Sequence, residues 1–308
     1  MEPTSLIDAV RYFSDPQTCI EYVVRKRWPN GPVCPTCGST SVTWLPSVSR
    51  FQCPKRHPKR QFTVKTGSIF EDSPLGLDRW LVAMWLVTNA KNGISSYEIH
   101  RAIQVTQKTA WFMLHRIRFC MTSGSLTKLA DDVEADETYI GGKARNMHQH
   151  VKAEKITGRG GKDKAVVFGM LERGGEVVLA HINRPKKTTL EAIIDQTILP
   201  GSRVYTDALR SYNGLGETYR HYVIDHAVSY VEGMVHTNGL ENFWSLLKRT
   251  IGGTYVSVEP FHLHRYLTEQ AFRYNERKGT DGTRFNLVAS QVSGKRLTYA
   301  QLTGKVFN

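Results

Sequence analysis

No stretch of the 308-residue sequence is apolar over the roughly 20 positions that a membrane-spanning helix needs; the longest run, WLVAMWLV from Trp80, falls far short. The start, MEPTSLIDAVRYF, lacks both a basic opening and a cleavable apolar segment. The expected location is therefore cytoplasmic, with no membrane partner. Acidic residues are also scarce: 28 Asp and Glu stand against 41 Lys and Arg, for a net charge of +13. Such an imbalance draws polyanions and makes their binding salt-dependent, which puts nucleic acid ahead of a merely solubilising surface. The excess is clustered, because residues 143 to 164 hold seven Lys or Arg against Glu154 and Asp163, in a Gly-rich context that reads as a loop. Cysteine is sparse and odd in number. Cys19, Cys34, Cys37, Cys53 and Cys120 do not make a disulfide framework; three close together in a reduced compartment point to a metal site instead.

What is present suffices for a folded protein. An apolar fraction of 40% can bury a sizeable core, and the length suits two or three domains. Asp15 followed by Pro16 marks the start of a short helix. Cys34-x-x-Cys37-Gly38 then forms one tight knuckle, and Cys53-x-x-x-His57 can form the other. Three thiolates and an imidazole suit tetrahedral Zn²⁺ and leave no open position, so the expectation is a structural zinc ribbon over residues 1–70, facing phosphates through Lys55, Arg56, Lys59, Arg60 and Lys65. The competing reading, a redox CxxC pair, lacks the βαβ setting such pairs occupy.

Residues 71–130 read as helical. Apolar positions from Leu77 to Thr88 make a stripe, Ser95-x-x-Glu98 is a capping box, and another helix starts near Thr106. In that helix Ala110, Met113, Leu114, Ile117 and Met121 can face inward, while Lys108, Trp111, His115 and Arg118 share a different face. The pair fits a helix-turn-helix that reads the major groove with a basic and aromatic outer face; plain core packing is the alternative. From residue 131 to 308 the pattern becomes α/β with a mixed sheet. VEADETYIGG is a strand, AVVFGMLE and EVVLAHI form a hairpin, Thr188-x-x-Glu191 is a second capping box, and RVYTD and HYVID are further strands before a helix over residues 237–250.

Three acids stand out in this last region. Asp136 lies on its first strand, Asp207 at the end of VYTD, and Glu241 on the late helix. Carboxylates converging from strand ends and a nearby helix are what two-metal phosphodiester chemistry requires. Taken alone, Asn238-x-x-Glu241 reads more readily as a capping box than as a ligand site, and strand alternation puts Glu134 on the same face as Asp136. Lys248, seven residues past Glu241, would suit a phosphate contact or a solvated ion pair.

Together, HTNGLENFWSLLKRTIGG, VEADETYIGGK and VYTDALRSYNGL resemble the catalytic signature of zinc-ribbon, ISXO-like insertion-sequence transposases of the DDE superfamily. RWPNGPVCPTCGS, FTVKTGSIFEDSPL, FGMLERGGEV and FHLHRYLTEQAFRYNER extend the likeness over nearly the whole chain. The resemblance implies an RNase H-like catalytic domain with Asp136, Asp207 and Glu241 as ligands of Mg²⁺ or Mn²⁺. It assigns Lys248 as the accompanying basic residue, with Arg249 beside it at the phosphates and Asn238 next to the acidic ligand. It implies a DNA transposase that cleaves element ends and transfers the freed 3′-hydroxyl to target DNA, working as a homo-oligomer on paired ends. A catalytically inactive DNA-binding regulator and a stand-alone nuclease are the alternatives. One departure from the family pattern is Arg56, which stands where a fourth cysteine is expected, with His57 following.

Overall fold

The computed structural model describes residues 2–121, 127–141, 164–224 and 236–304. The basic Gly-rich segment at 143–163 lies outside the described residues. The chain divides into two compact units, Met1–Thr122 with Lys278–Asn308, and Ser123–Arg277.

The first unit opens with α1 (Leu6–Tyr12) and α2 (Pro16–Arg27). Asp15 caps α2 by accepting from the Thr18 N–H, and Pro16 occupies a first-turn position where its missing donor costs nothing. A small antiparallel sheet follows, built from β1 (Thr43–Leu45), β2 (Arg50–Gln52) and β3 (Gln61–Phe62). Next come α3 (Leu77–Asn89), α4 (Ser96–Ile103) and α5 (Gln107–Arg118). The expected capping box at Ser95 and Glu98 is formed, and Thr106 caps α5. Gln104, at φ 53°, makes the left-handed turn joining α4 to α5.

In the second unit β4 (Asp132–Ile140), β5 (Ala165–Glu172) and β6 (Val177–Ile182) form an antiparallel series, β4 with β5 and β5 with β6. Then follow α6 (Lys187–Thr197), β7 (Arg203–Asp207), β8 (Arg220–Ile224), α7 (Asn238–Arg249) and α8 (Pro260–Asn275). The sheet order is β6-β5-β4-β7-β8, with β7 and β8 parallel to β4. This is the expected mixed α/β, RNase H-like sheet. Both of its faces are covered, and the strand residues show why. Val166, Phe168 and Met170 of β5 pack with Leu190 and Ile194 of α6, while Val167 and Leu171 pack with Leu240, Phe243 and Leu247 of α7 and Leu263 of α8. Alternate residues thus feed opposite cores, and each buried Leu, Ile or Phe contributes about 1.5–3 kcal/mol relative to exposure.

The chain ends with α9 (Asp281–Ser290) and α10 (Tyr299–Thr303), and this segment belongs to the first unit. That corrects the expectation of a last domain running from 131 to 308. Phe285 of α9 stacks on Tyr22 with ring centroids 5.7 Å apart and lies 5.1 Å from Trp85, so burying these rings brings both chain ends together. Nor does a boundary fall at residue 70. The buried Arg116 of α5 donates to the carbonyls of Ile69, Glu71 and Leu297. Arg27 similarly donates to the carbonyls of Val64 and Thr66 and to Ser293 Oγ.

The outer face expected for α5 is also corrected. His115 and Arg118 are 0% and 1% exposed, so neither side chain is available to DNA. Trp111 is half-buried against the His115 ring at 4.4 Å, and Lys108, though exposed, has its Nζ 5.1 Å above the Tyr299 ring. The physical reason is that α5 packs against α3 and α4 while α10 closes in beside Phe112, leaving its N-terminal turn as the part that projects.

Candidate active site and metal centres

The two knuckles of the ribbon meet. Sulfur and nitrogen atoms of Cys34, Cys37, Cys53 and His57 all lie within 4.8 Å of one another. Cys34 Sγ is 3.5 Å from His57 Nε2, and Cys37 Sγ is 3.6 Å from Cys53 Sγ. The His57 Nδ1–H faces the Pro58 carbonyl at 2.6 Å, an arrangement that fixes the ring and leaves Nε2 for a ligand role. Burial opposes ionisation of Cys34, yet the N–H groups of Cys37 and Thr36 and the neighbouring thiols outweigh it and bring the thiol down to about 7. A thiolate at neutral pH is the form that binds metal. By contrast burial pushes Cys19 and Cys120 up to about 12, so these two are inert core residues.

The acidic site is built midway along β4 and at the C-terminal end of β7. Because Glu134 pairs with Tyr205 in parallel register, counting two residues on brings Asp136 level with Asp207. Carboxylate oxygens of Asp136, Glu137 and Asp207 all lie within 4.8 Å of one another. Asp136 faces α7, and its Oδ2 accepts from Trp244 Nε1 at 2.9 Å. Glu137, on the opposite face by alternation, has Oε1 held by the Tyr212 hydroxyl at 2.7 Å. Desolvation, reinforced by the charges of Asp207 and Glu241, pushes Asp136 up from 3.8 to about 6. Desolvation also takes Glu137 from 4.5 to about 7, with Asp207 and Asp136 adding to the rise. Asp207 accepts the Leu209 N–H, an Asx-type turn that holds the strand end.

Glu241 lies on the first turn of α7, exposed and outside the compact acidic group, with its charge felt at Asp136. The capping-box reading of this stretch is not what the structure shows: Thr237 is the N-cap and contributes no side-chain bond. A carboxylate from elsewhere does the capping. Glu134 Oε2 accepts the Leu240 N–H at 2.8 Å, while its Oε1 accepts from Arg173 Nε at 3.0 Å. This occupation separates Glu134, a buried structural residue, from Asp136, which the sequence alone leaves on the same face. Asp132 is likewise engaged, by Arg203 at 2.6 Å and the Tyr205 hydroxyl at 2.7 Å. Lys248 and Arg249 are exposed on α7, and Lys248 lines a cavity of about 370 Å³ with Tyr139, Ile251 and Val256. Glu137 is one of the acids that crowd Asp136 in the sequence, where it is offered as a neighbour and not as a member of the site; the structure brings its carboxylate into the group.

A mixed sheet with acids clustered on two adjacent strands, together with a separate cysteine-rich ribbon, fits a DDE-type enzyme carrying a zinc-ribbon module. Residues 128–275 match the ISXO2-like transposase domain and residues 14–55 the transposase zinc-ribbon domain. The chain belongs to the ISXO2-like transposase family. A protein of the transposable element ISH50 of Halobacterium salinarum is 28% identical over 253 residues, covering 78% of this chain and 84% of that protein. A transposase-like protein of Haemophilus influenzae is 34% identical over 91 residues, 29% of this chain and 73% of its own length. Among solved structures, a chain of the simian T-cell lymphotropic virus intasome matches at TM-score 0.29 and 15% identity, over 56% of this chain and 67% of that chain, too distant a likeness to bear on the site. Membership places this chain among transposase-type enzymes. Among the described residues no helix is long and apolar enough to cross a membrane.

Proposed function

We propose that this transposase binds the ends of its insertion sequence, cleaves a phosphodiester bond there with the help of Mg²⁺ or Mn²⁺, and joins the freed 3′-hydroxyl to target DNA. The observation that carries this reading is the convergence of Asp136, midway along β4, with Asp207, at the end of the parallel β7, together with Glu137 in the same group and Glu241 near enough to raise Asp136.

The donor set fits hard divalent cations. All of its atoms are carboxylate oxygens, and burial has already pushed two of the acids toward the protonated form, so a cation would relieve like-charge crowding. When bound, a pair of such ions supplies activation of the attacking oxygen and stabilisation of the leaving one. Asp136 and Asp207 would hold them from the sheet, Glu241 from the helix. Glu137, anchored by Tyr212, adds negative charge beside them. Lys248 and Arg249, on the same helix as Glu241, would bind the DNA backbone.

Cys34, Cys37, Cys53 and His57 would hold zinc in a closed site, whose role is to stabilise the ribbon. End recognition falls to the ribbon and to the exposed turn of the helix-turn-helix, where Arg101, Gln104, Thr106 and Lys108 project. Helix-turn-helix proteins read bases with the start of their second helix, and a projecting α5 N-terminus suits that use. Two or more copies would act together on paired ends.

The test uses purified protein and labelled end DNA with Mg²⁺. Nicked and then joined products are expected from the natural protein and neither from Asp207→Asn. Full cleavage by Asp207→Asn would remove the reading. Nicking without joined products would instead make the protein a stand-alone nuclease, and specific binding with no nicking under any divalent metal a regulator.

A further inference from the structure

Asp136 has an unusual neighbour across the sheet. Its register partner on β5 is Gly169, and the indole of Trp244 lies over that position. A Cβ at residue 169 would sit 2.5 Å from Trp244 Cη2 and 2.7 Å from Cζ2, closer than any real side chain tolerates. The strand is therefore bare where α7 crosses it, and the indole settles into the space. Trp244 is 4% exposed, and from this seat its Nε1–H reaches Asp136 Oδ2 at 2.9 Å. One oxygen of the carboxylate is thereby fixed by a neutral donor, leaving Oδ1 as the oxygen without the indole bond. Helical spacing adds a second function to the same edge of α7. Glu241, Trp244 and Lys248 recur at intervals of three and four, so one stripe carries an acid, the donor to Asp136 and a base.

We propose that Trp244 is a positioning residue for the acidic centre: its indole N–H sets the orientation in which Asp136 offers its carboxylate to a divalent cation, and Gly169 is the gap that admits the indole. The inference deepens the metal-dependent reading above and rests on it. An indole that merely fills the core would need the glycine beneath it but no donor pointed at this carboxylate. Outer partners that orient a metal ligand typically carry 10–100-fold in affinity, which sets the expected size of the effect.

The measurement is Mn²⁺ affinity of the full chain by titration calorimetry without DNA, with end cleavage read alongside. Trp244→Phe, which keeps a ring and deletes the N–H, is expected to weaken Mn²⁺ binding about tenfold. Gly169→Ala, which pushes the indole away, should weaken it by a similar factor. The double variant should lose little more than either single one, because both remove one hydrogen bond. Should Trp244→Phe fold poorly, a benzothiophene isostere of the tryptophan removes the N–H at constant shape and should give the same loss. Unchanged Mn²⁺ affinity in a well-folded Trp244→Phe or isostere protein overturns the inference, as do losses that simply add in the double variant. In either case wild-type binding and cleavage leave the metal-dependent reading standing. A wild-type protein that neither binds Mn²⁺ nor cleaves defeats that reading, and this inference with it.

Discussion

The two metal-competent centres of this protein are assembled in opposite ways. In the ribbon, four ligands come from residues 34 to 57, and two tight knuckles bring them together almost locally. In the acidic centre, Asp136 and Asp207 are brought together only by parallel pairing of β4 with β7, and α7 must then be laid across the sheet to deliver Glu241 and Trp244. The ribbon is soft, thiol-rich and complete with four donors. The acidic centre is hard and oxygen-only. Local assembly suits a staple for a small sheet, and long-range assembly suits a reactive centre that must be held by a rigid core.

The contrast predicts different failures. Asp207→Asn should leave the fold intact and lower end cleavage by more than the roughly 100-fold that outer partners carry, measured as initial nicking rate. Cys37→Ser should do the reverse to the ribbon: zinc is lost on a metal assay and the ribbon's cooperative melting disappears, because its small sheet has little core of its own. If Cys37→Ser retained both zinc and the melting transition, the division of roles between the centres would be wrong.

Next in size is Glu134→Ala. It removes the carboxylate partner of the half-buried Arg173, which keeps its bond to the His236 carbonyl, and uncaps α7, at a cost of about 2 kcal/mol in denaturant unfolding. An effect below about 0.5 kcal/mol, the range of ordinary surface changes, would show that α7 is held by packing alone.

The pH dependence sharpens the picture further. Asp136 and Glu137 are raised to about 6 and about 7, so the fold keeps protons that the unfolded chain has already released. Without divalent ions, their contribution to stability is greatest below about pH 4 and is lost as pH rises to about 7. Melting curves with and without Mg²⁺ should therefore diverge above pH 7 and coincide near pH 4. The smallest effect is expected from Lys108→Ala, which should lower the salt slope of DNA binding by about one without changing sequence preference.

Much of the ribbon was legible because its signals are local. The Asp15 and Pro16 helix start, the Ser95 and Glu98 capping box and the cysteine knuckles each depend on residues a few positions apart. The acids were legible in part. Asp136 and Asp207 carried the motif, but alternation puts Glu137 on the face opposite Asp136, and only the folded sheet with Tyr212 brings its carboxylate into the same group. Two local signals misled. Thr188 and Glu191 form no capping box, since α6 begins after Lys186 and Glu191 pairs with Lys187 at 3.6 Å. Asn238 and Glu241 form none either, because Glu134 is a better-placed acceptor from the neighbouring strand. The outer face drawn for α5 failed at His115 and Arg118 for a related reason: periodicity separates faces but does not say how many of them a neighbour will cover.

By itself the sequence determined the chemistry available: a thiol-rich knuckle for a soft metal, carboxylates for hard ones, an excess of cations for a polyanion, and a strand pattern that had to be buried on both sides. Only tertiary structure decided which acids share a point in space, that α9 and α10 close on the first unit, and that an absent side chain at Gly169 lets Trp244 reach Asp136. Those outcomes depend on register and on helix placement across a sheet, and both are set by packing between residues far apart in the chain rather than by any residue's local preference.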